Sequence, residues 1–388
     1  MRETRGTRGT REGRQGKGDK AILVGLNNVY GFMHLDYLGS YLDMKPVTVV
    51  VTGVGAPVGV GIIKSLRASK LPLRIVGVDS EPLAQGLFRV DKAHLIPSAR
   101  QNPDAYFEAL VKTSQMEGAD ILFSGWEEEL LMLAQRKAEF EEQTGTILPL
   151  APDPTLKALD KWLTTQVLQA FDVPVPDSVL PTDQEQLANF RRKHAYPYII
   201  KPRRSSGGKG LALIHTDQEL AFFSHYIPDP IVQEQLLPDN QEYTVGVFIQ
   251  TNGKPGGTLA LKRSLSGGLS YRMESDHNTD ACDIAIQAAT AMGLIGAVNV
   301  QMRLTSTGFK VFEINPRFSS ATCVRANFGL NEPELSIRHF VFKEEISPPK
   351  VKKGICLRFW EEMYFPLLAK SAAQGGQYQY RGHILRQF

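Results

Sequence analysis

Apolar and polar positions change period several times along the chain, and each period marks an element. Val47–Thr52 is an unbroken apolar run of strand length, residues 53–59 form a glycine-rich turn, and residues 60–69 carry helical spacing. A second strand covers residues 73–78 and ends in Asp79. Helical spacing returns at 105–116, a strand at 120–123 and a longer helix at 127–142. Strands alternating with helices predict a parallel α/β sheet, closed near Pro149–Pro154, where prolines cluster.

Beyond this point the pattern changes. A helix over 156–171 leads to a Pro-rich joint at 174–181, and strands follow at 198–201, 211–214, 231–235 and 242–249. A Gly-rich hairpin turn is expected around Asn252–Gly257, and a helix over 280–292. Residues 297–304 and 309–314 then read as a hairpin turned by Thr307-Gly308.

The 388 residues suffice for two to three domains at roughly 100–200 residues each. At 42% hydrophobic and 22% charged the composition is that of an ordinary globular protein. No apolar run approaches the ~18 residues that read as a membrane span. The net charge of +3 is uneven: seven basic and three acidic residues give residues 1–20 a charge of +4, so the remainder carries −1. A nearly neutral body has no electrostatic footprint for nucleic acid. Arginine at every third position among Gly, Thr and Glu offers no apolar face, so residues 1–43 read as a disordered or mis-called extension, with Met44 as an alternative start. The apolar stretch Ala21–Leu26 is short for a signal peptide. Cys282, Cys323 and Cys356 are odd in number and far apart, which indicates neither a disulfide framework nor a CxxC metal site and fits a reducing, cytoplasmic setting.

One early motif imitates a dinucleotide fold. Strand, turn, helix and a strand ending in Asp79 carry Gly53, Gly55 and Gly59 in GxGxxxG spacing, with Val58 where GxGxxG needs glycine. An NADP-dependent oxidoreductase is one reading, and a turn that packs a helix closely on its strand is the other.

A stronger set begins at Lys201, at the end of a strand, followed by a loop containing Gly207 and Gly208 whose N–H groups could close on phosphate. Val232–Leu236 could offer an adenine ring backbone acceptors and donors through Glu234 and Leu236, with Glu242 suited to ribose hydroxyls. Taken alone these are also ordinary strand residues. In Asn299–Arg303 and Val311–Arg317, alternation can project Gln301, Glu313 and Asn315 into one group of hard oxygen ligands for Mg²⁺. Arg317 would then reach a transferring phosphoryl group. Glu313-Ile-Asn-Pro-Arg317 is hard to account for as structure, because a buried strand rarely carries so many polar groups without partners.

These motifs, in this order, resemble the ATP-grasp enzymes over about residues 46–345, most of all the carbamoyl phosphate synthetase large-subunit type. The resemblance rests on Asp160-Lys161, Lys201-Pro with Gly207-Gly208, Glu234-x-Leu236, Glu242, Gln301 and Glu313–Arg317. It implies an α/β chain in which an N-terminal Rossmann-like (pre-ATP-grasp) parallel-sheet domain, 44–150, precedes a two-subdomain α+β ATP-grasp fold, 151–345, with a lid over about 175–235. Residues 346–388 would form a tail against the latter. The resemblance makes Lys161 and Lys201 phosphate contacts, Gly207 and Gly208 a lid loop, Glu234 and Leu236 adenine contacts and Glu242 the ribose contact. Gln301, Glu313 and Asn315 become ligands of Mg²⁺ (or Mn²⁺), and Arg317 steadies a phosphorylated intermediate. Lysines stand where that synthetase has arginines, and Ser319-Ser320 where it has a further basic residue.

The implied reaction is ATP-dependent activation of a carboxylate as an acyl phosphate, then coupling to an amine with release of ADP and phosphate. Partners would be small carboxylates and amines, with no nucleic acid or membrane, and a homodimer is left open. A nucleotide-binding protein without turnover is the non-enzymatic reading. Lys262, Arg263 and His277 are further candidates near a substrate, Cys323 reads as a packing residue, and Arg325, Arg338 and Arg358 are candidates for a substrate carboxylate.

Overall fold

The computed structural model of the protein describes residues 45–205, 208–359, 362–364 and 377–378. The expectations for residues 1–43, for Gly207 and for most of the tail lie outside the described residues.

Four parallel strands open the fold: β1 (Val47–Val51), β2 (Leu73–Asp79), β3 (Lys92–Leu95) and β4 (Ile121–Phe123), in the order β3-β2-β1-β4. Helices α1 (Pro57–Ala68), α2 (Pro103–Glu117), α3 (Glu127–Gln135) and α4 (Lys137–Thr144) connect or cover them. The strands are buried on both faces, which is why β1 reads as a continuous run of valine and threonine. The helix expected from residue 60 starts three residues earlier, because Pro57 is pre-set for a first helical position. A side chain on Gly59 would place its Cβ 2.3 Å from the Gly53 carbonyl oxygen, so this glycine serves the close packing of α1 on its own turn. Asp79 is spent inside the same turn, accepting from the Gly55 amide at 2.7 Å and the Glu81 amide at 2.9 Å. The helix expected over 127–142 breaks at Arg136, and β3, which has no long apolar run, went unread.

After α5 (Pro152–Ala158) and α6 (Lys161–Ala170) come two antiparallel sheets. The single helix expected over 156–171 is divided because the Asp160 carboxylate caps a new start, accepting from the amides of Trp162 and Leu163. The smaller sheet holds β5 (Ser178–Val179), β6 (Tyr198–Pro202), β7 (Ala212–Ile214) and β8 (Pro230–Glu234) in the order β5-β8-β6-β7. It packs on α7 (Gln184–Lys193) and α8 (Asp217–Tyr226) through Leu187, Phe190, Tyr198, Ile200 and Leu220.

The larger sheet runs β13-β12-β9-β10-β11-β14, from β9 (Glu242–Ile249), β10 (Pro255–Ser266), β11 (Leu269–Ser275), β12 (Gly296–Thr305), β13 (Gly308–Asn315) and β14 (Gly354–Leu357). One face takes α9 (Thr279–Ala291), whose Ala281, Ala285, Ala288 and Ala289 sit against Val245, Val247, Val298 and Val300. Alanine keeps that helix close to the strands and leaves the opposite face of the sheet for polar residues. Helices α10 (Thr322–Asn327) and α11 (Glu332–Ser336) pack at α1. The tail contributes to both parts, β14 to the large sheet and Gln377–Tyr378 antiparallel to β3. No helix among the described residues is long and apolar enough to cross a membrane.

Candidate functional site

Strand register explains the polar residues of the large sheet. Arg263, Glu242 and Arg303 are cross-strand neighbours in one row; Thr244, Gln301 and Glu313 form the next; Gly246, Asn299 and Asn315 form the third. All lie on the face away from α9, because side chains of a strand alternate between faces. On the small sheet the same alternation sends Tyr198 and Ile200 into the core and Ile199 and Lys201 to the other side. Between the two sheets lies a cleft of about 250 Å³, with Lys161, Lys201, Gly208, Glu234, Leu236, Glu242, Gln301 and Glu313 among its walls. A second chamber of about 280 Å³ is lined by Gln301, Glu313, Asn315 and Arg317, and shares Arg263, Gly268, Gln301 and Glu313 with the first. The structure thus brings together the nucleotide and metal candidates named from the sequence, except Gly207, which is outside the described residues.

Lys201 is buried, its Nζ 3.4 Å from the Phe312 carbonyl oxygen. Burial pulls its pKa down to about 8; Lys161 adds to the shift and Glu313 opposes it. Lys161 opens α6 and donates to the Ser205 carbonyl at 2.5 Å, fastening the base of the glycine loop. The buried Asp160 ties the same base through Arg203 at 2.7 Å. Two ammonium groups beside a loop rich in N–H donors form an anion site.

A pH dependence follows. In the free protein Lys201 is a cation below pH about 8 and neutral above it, so kcat/KM for ATP should be level below that pH and fall about tenfold per unit above it. Lys201→Arg should remove the fall; a profile unchanged by that variant would sink the assignment. The depressed pKa also means that the unfolded chain holds this proton up to the ordinary 10.5, so this group adds stability as pH rises from about 8 toward 10.5.

At the other end of the cleft Glu234, Leu236 and Glu242 lie in the wall, and their polar groups are engaged. Glu234 pairs with Lys310 at 2.5 Å and accepts from the Asp177 amide at 2.8 Å, and the Leu236 carbonyl accepts from Arg303 at 2.7 Å. Glu242 lies between two arginines, Arg263 (2.5 and 2.9 Å) and Arg303 (2.5 Å). Arg263 also donates to Gln301 Oε1 at 2.7 Å, which makes it the link between the two chambers.

Around the junction, Arg317 forms an ion pair with Glu127 at the start of α3, and donates to Asn315 Oδ1 at 3.1 Å and the Phe318 carbonyl at 2.9 Å. The Glu313 carboxylate has no hydrogen-bond or ion-pair partner among the described residues, although it interacts electrostatically with Lys201. An unpartnered, half-buried carboxylate beside two amide oxygens fits Mg²⁺, which takes one or two carboxylates and fills its octahedron with phosphate and water oxygens. The amide oxygens of Gln301 and Asn315 accept from Arg263 and Arg317. No group of three or more His, Cys, Asp or Glu suited to a metal occurs among the described residues, so a metal here relies on amide and phosphate oxygens.

Other candidates are placed elsewhere. Arg325 is fully buried and pairs with Glu332 at 2.7 Å, so it holds structure and no substrate carboxylate. Arg338 pairs with Glu344, and Arg358 donates to the carbonyls of Ser270 and Ser320. His277 is exposed and Lys262 lines neither chamber. Cys323 is a packing residue at the first core cluster. Arg303, Asn299 and the serines at 319 and 320 were not singled out for the site; the polar face of β12 was the available signal.

Residues 49–148 match the PylC-like N-terminal domain, residues 160–226 the ATP-binding domain of the carbamoyl-phosphate synthase L chain, and residues 227–363 an ATP-grasp from the biosynthetic pathway with the Ter operon. Among solved structures, the chain is similar to a β-γ-ATP complex of biotin carboxylase from Campylobacter jejuni: TM-score 0.65, 18% identity, covering 80% of this chain and 74% of that one. It is similar to N5-carboxyaminoimidazole synthetase from Staphylococcus aureus complexed with ADP (0.63, 14%, 81% and 83%). The third is the biotin carboxylase domain of 2-oxoglutarate carboxylase from Hydrogenobacter thermophilus, with MgADP, ADP and bicarbonate (0.61, 15%, 80% and 74%). The NADP reading has no support here: its glycines pack a helix and its aspartate closes their turn. With successive matches from residue 49 to residue 363 and a fold common to these structures, the chain belongs to the ATP-grasp superfamily, enzymes that use ATP and Mg²⁺.

Proposed function

We propose that this enzyme activates a carboxylate with ATP and couples it to an amine, releasing ADP and phosphate. The observation that carries the reading is the continuity of the two chambers, with Arg263, Gln301 and Glu313 in the wall of both. In the first step a carboxylate oxygen attacks the γ-phosphorus, the bond to the β–γ bridging oxygen breaks, and ADP leaves. In the second step the amine attacks the acyl carbon, the bond to the phosphate oxygen breaks, and the amine gives up a proton. Lys161 and Lys201 hold the phosphates, while Arg317 orients the acid and offsets charge on the acyl phosphate. Glu313, with Gln301 and Asn315, would hold Mg²⁺, which supplies charge neutralisation between the phosphates when bound.

The test is to incubate the full chain with Mg-ATP and pools of carboxylates and amines, following ADP, phosphate and coupled product. ADP and phosphate formed in equal amounts with a new amide is the expected result. ATP binding with no ADP from any pool would replace this reading with that of a nucleotide-binding protein.

A further inference from the structure

Arg263 and Glu313 are the charged side chains common to the two chambers, and of the two only Arg263 is already committed. Its guanidinium donates from both Nε (2.9 Å) and Nη2 (2.5 Å) to one oxygen of Glu242, Oε1, while Arg303 donates from Nη2 (2.5 Å) to Oε2. An ionised carboxylate has about four lone-pair sites. Three are therefore filled on Glu242. This is the cleft carboxylate suited to ribose hydroxyls, and a ribose diol brings two O–H donors, one more than it can take without giving up a bond. The two arginines are not equally replaceable. Arg303 is fastened as well by the Leu236 carbonyl (2.7 Å) and Asp239 (2.9 Å). Arg263 has no second carboxylate among the described residues; its other partners are Gln301 Oε1 at 2.7 Å and the Ser270 hydroxyl at 3.4 Å. Both of those residues line the second chamber, so the guanidinium is held on that side when Glu242 lets it go.

The Arg263 side chain is 11% exposed, so a guanidinium parted from Glu242 is costly until it finds another counter-charge. In the second chamber Glu127 is already paired with Arg317. The unpartnered carboxylate there, Glu313, is the one assigned to Mg²⁺ above. The acceptor that remains is an anion brought by the reaction, the acid before phosphoryl transfer or the phosphorylated species after it. We infer that Arg263 changes partners when ribose hydroxyls occupy Glu242 and then holds the anion in the second chamber, so that nucleotide and anion bind with positive coupling. The coupling is reciprocal, because an anion that draws Arg263 away also clears Glu242 for ribose. This deepens the ligase reading and rests on it for the identity of the anion; the exchange of partners depends only on the bonds around Glu242.

The experiment uses inorganic phosphate as the anion probe, titrated calorimetrically into the full chain with Mg²⁺ and either no nucleotide, saturating ADP or saturating 2′,3′-dideoxy-ADP. ADP should tighten phosphate binding about tenfold or more, a size ordinary for coupled sites. Dideoxy-ADP keeps the base, the phosphates and the metal but has no hydroxyls to displace the guanidinium, so it should give little of that gain. Arg263→Gln should abolish the difference between the two nucleotides while binding ADP at least as tightly as the unsubstituted chain, since Glu242 then has sites free from the start. A purely structural arginine would instead lose ADP affinity. Arg263→Lys, which keeps the charge, should restore part of the difference. Equal gains from ADP and dideoxy-ADP in the unsubstituted chain overturn the inference, as does weakened ADP binding in Arg263→Gln with its unfolding midpoint retained. ATP is then assayed with the carboxylate and amine pools. Ribose-dependent coupling with no ADP released from any pool would leave the exchange of partners in place and reject the ligase reading instead.

Discussion

Replacing Glu313 by glutamine should lower ATP-dependent turnover by about 100- to 1,000-fold, the loss typical when a group that stabilises transition-state charge is removed. Its carboxylate makes no hydrogen bond or ion pair among the described residues, so the urea midpoint should not move beyond the roughly 0.5 kcal/mol expected of a substitution away from such partners. The measurement pairs steady-state ADP release over a range of Mg²⁺ with an unfolding curve. A variant with full turnover and the same Mg²⁺ dependence would take Glu313 out of the metal site. One with a collapsed midpoint would show the residue to be structural.

Arg325→Met should produce the largest loss of stability in the molecule, about 3–5 kcal/mol, because it strands Glu332 as an unpaired buried charge. Arg325 reaches Glu332 (2.7 Å), Asn299 (3.3 Å), Ser319 (3.1 Å) and Thr322 (3.2 Å), and so fixes α10, α11 and β12 together. Its path crosses β9 at Gly246, where a Cβ would stand 2.1 Å from Nε. The pair in itself adds little net stability, since desolvation offsets attraction. The double variant Arg325→Met with Glu332→Leu should therefore recover a good part of the loss. Urea unfolding of the single and double variants checks this, and a single-variant loss under about 1 kcal/mol would contradict it.

These two residues also show how far the sequence could be read. Glu313 was legible because the strand alternation of two paired segments, with a proline and arginine after them, leaves few structural uses for so many polar groups. Glu242–Ile249 was legible because Tyr243, Val245, Val247, Phe248 and Ile249 are strand formers on a strand that is buried throughout. Arg325 was misplaced because its surroundings come from β9, β12 and the 319–322 turn, which no local pattern joins. Strands β10 and β11 were missed for a related reason: Lys262, Arg263, Arg272 and Glu274 make their sequences look solvated, although hydrogen bonding along the hairpin holds them. Helices α7 and α8 set few residues against a small sheet, and α8 exposes Phe222 and Tyr226, so neither gives a clear period. For the site, which residues share the cleft could be read but their engagement could not. Glu242 was expected to accept from ribose hydroxyls, and it is held between Arg263 and Arg303.

The ion pair between Arg317 and Glu127 has a bearing on selectivity. In the role proposed for Arg317, the guanidinium that should greet an incoming acid is already satisfied by a carboxylate from the start of α3. An arriving substrate must outcompete that internal mimic, which costs a weakly held anion more than one fixed at several points along the chamber. On that proposal Glu127 sets a threshold, which a reactant anchored elsewhere in the cleft crosses and a small stray acid does not.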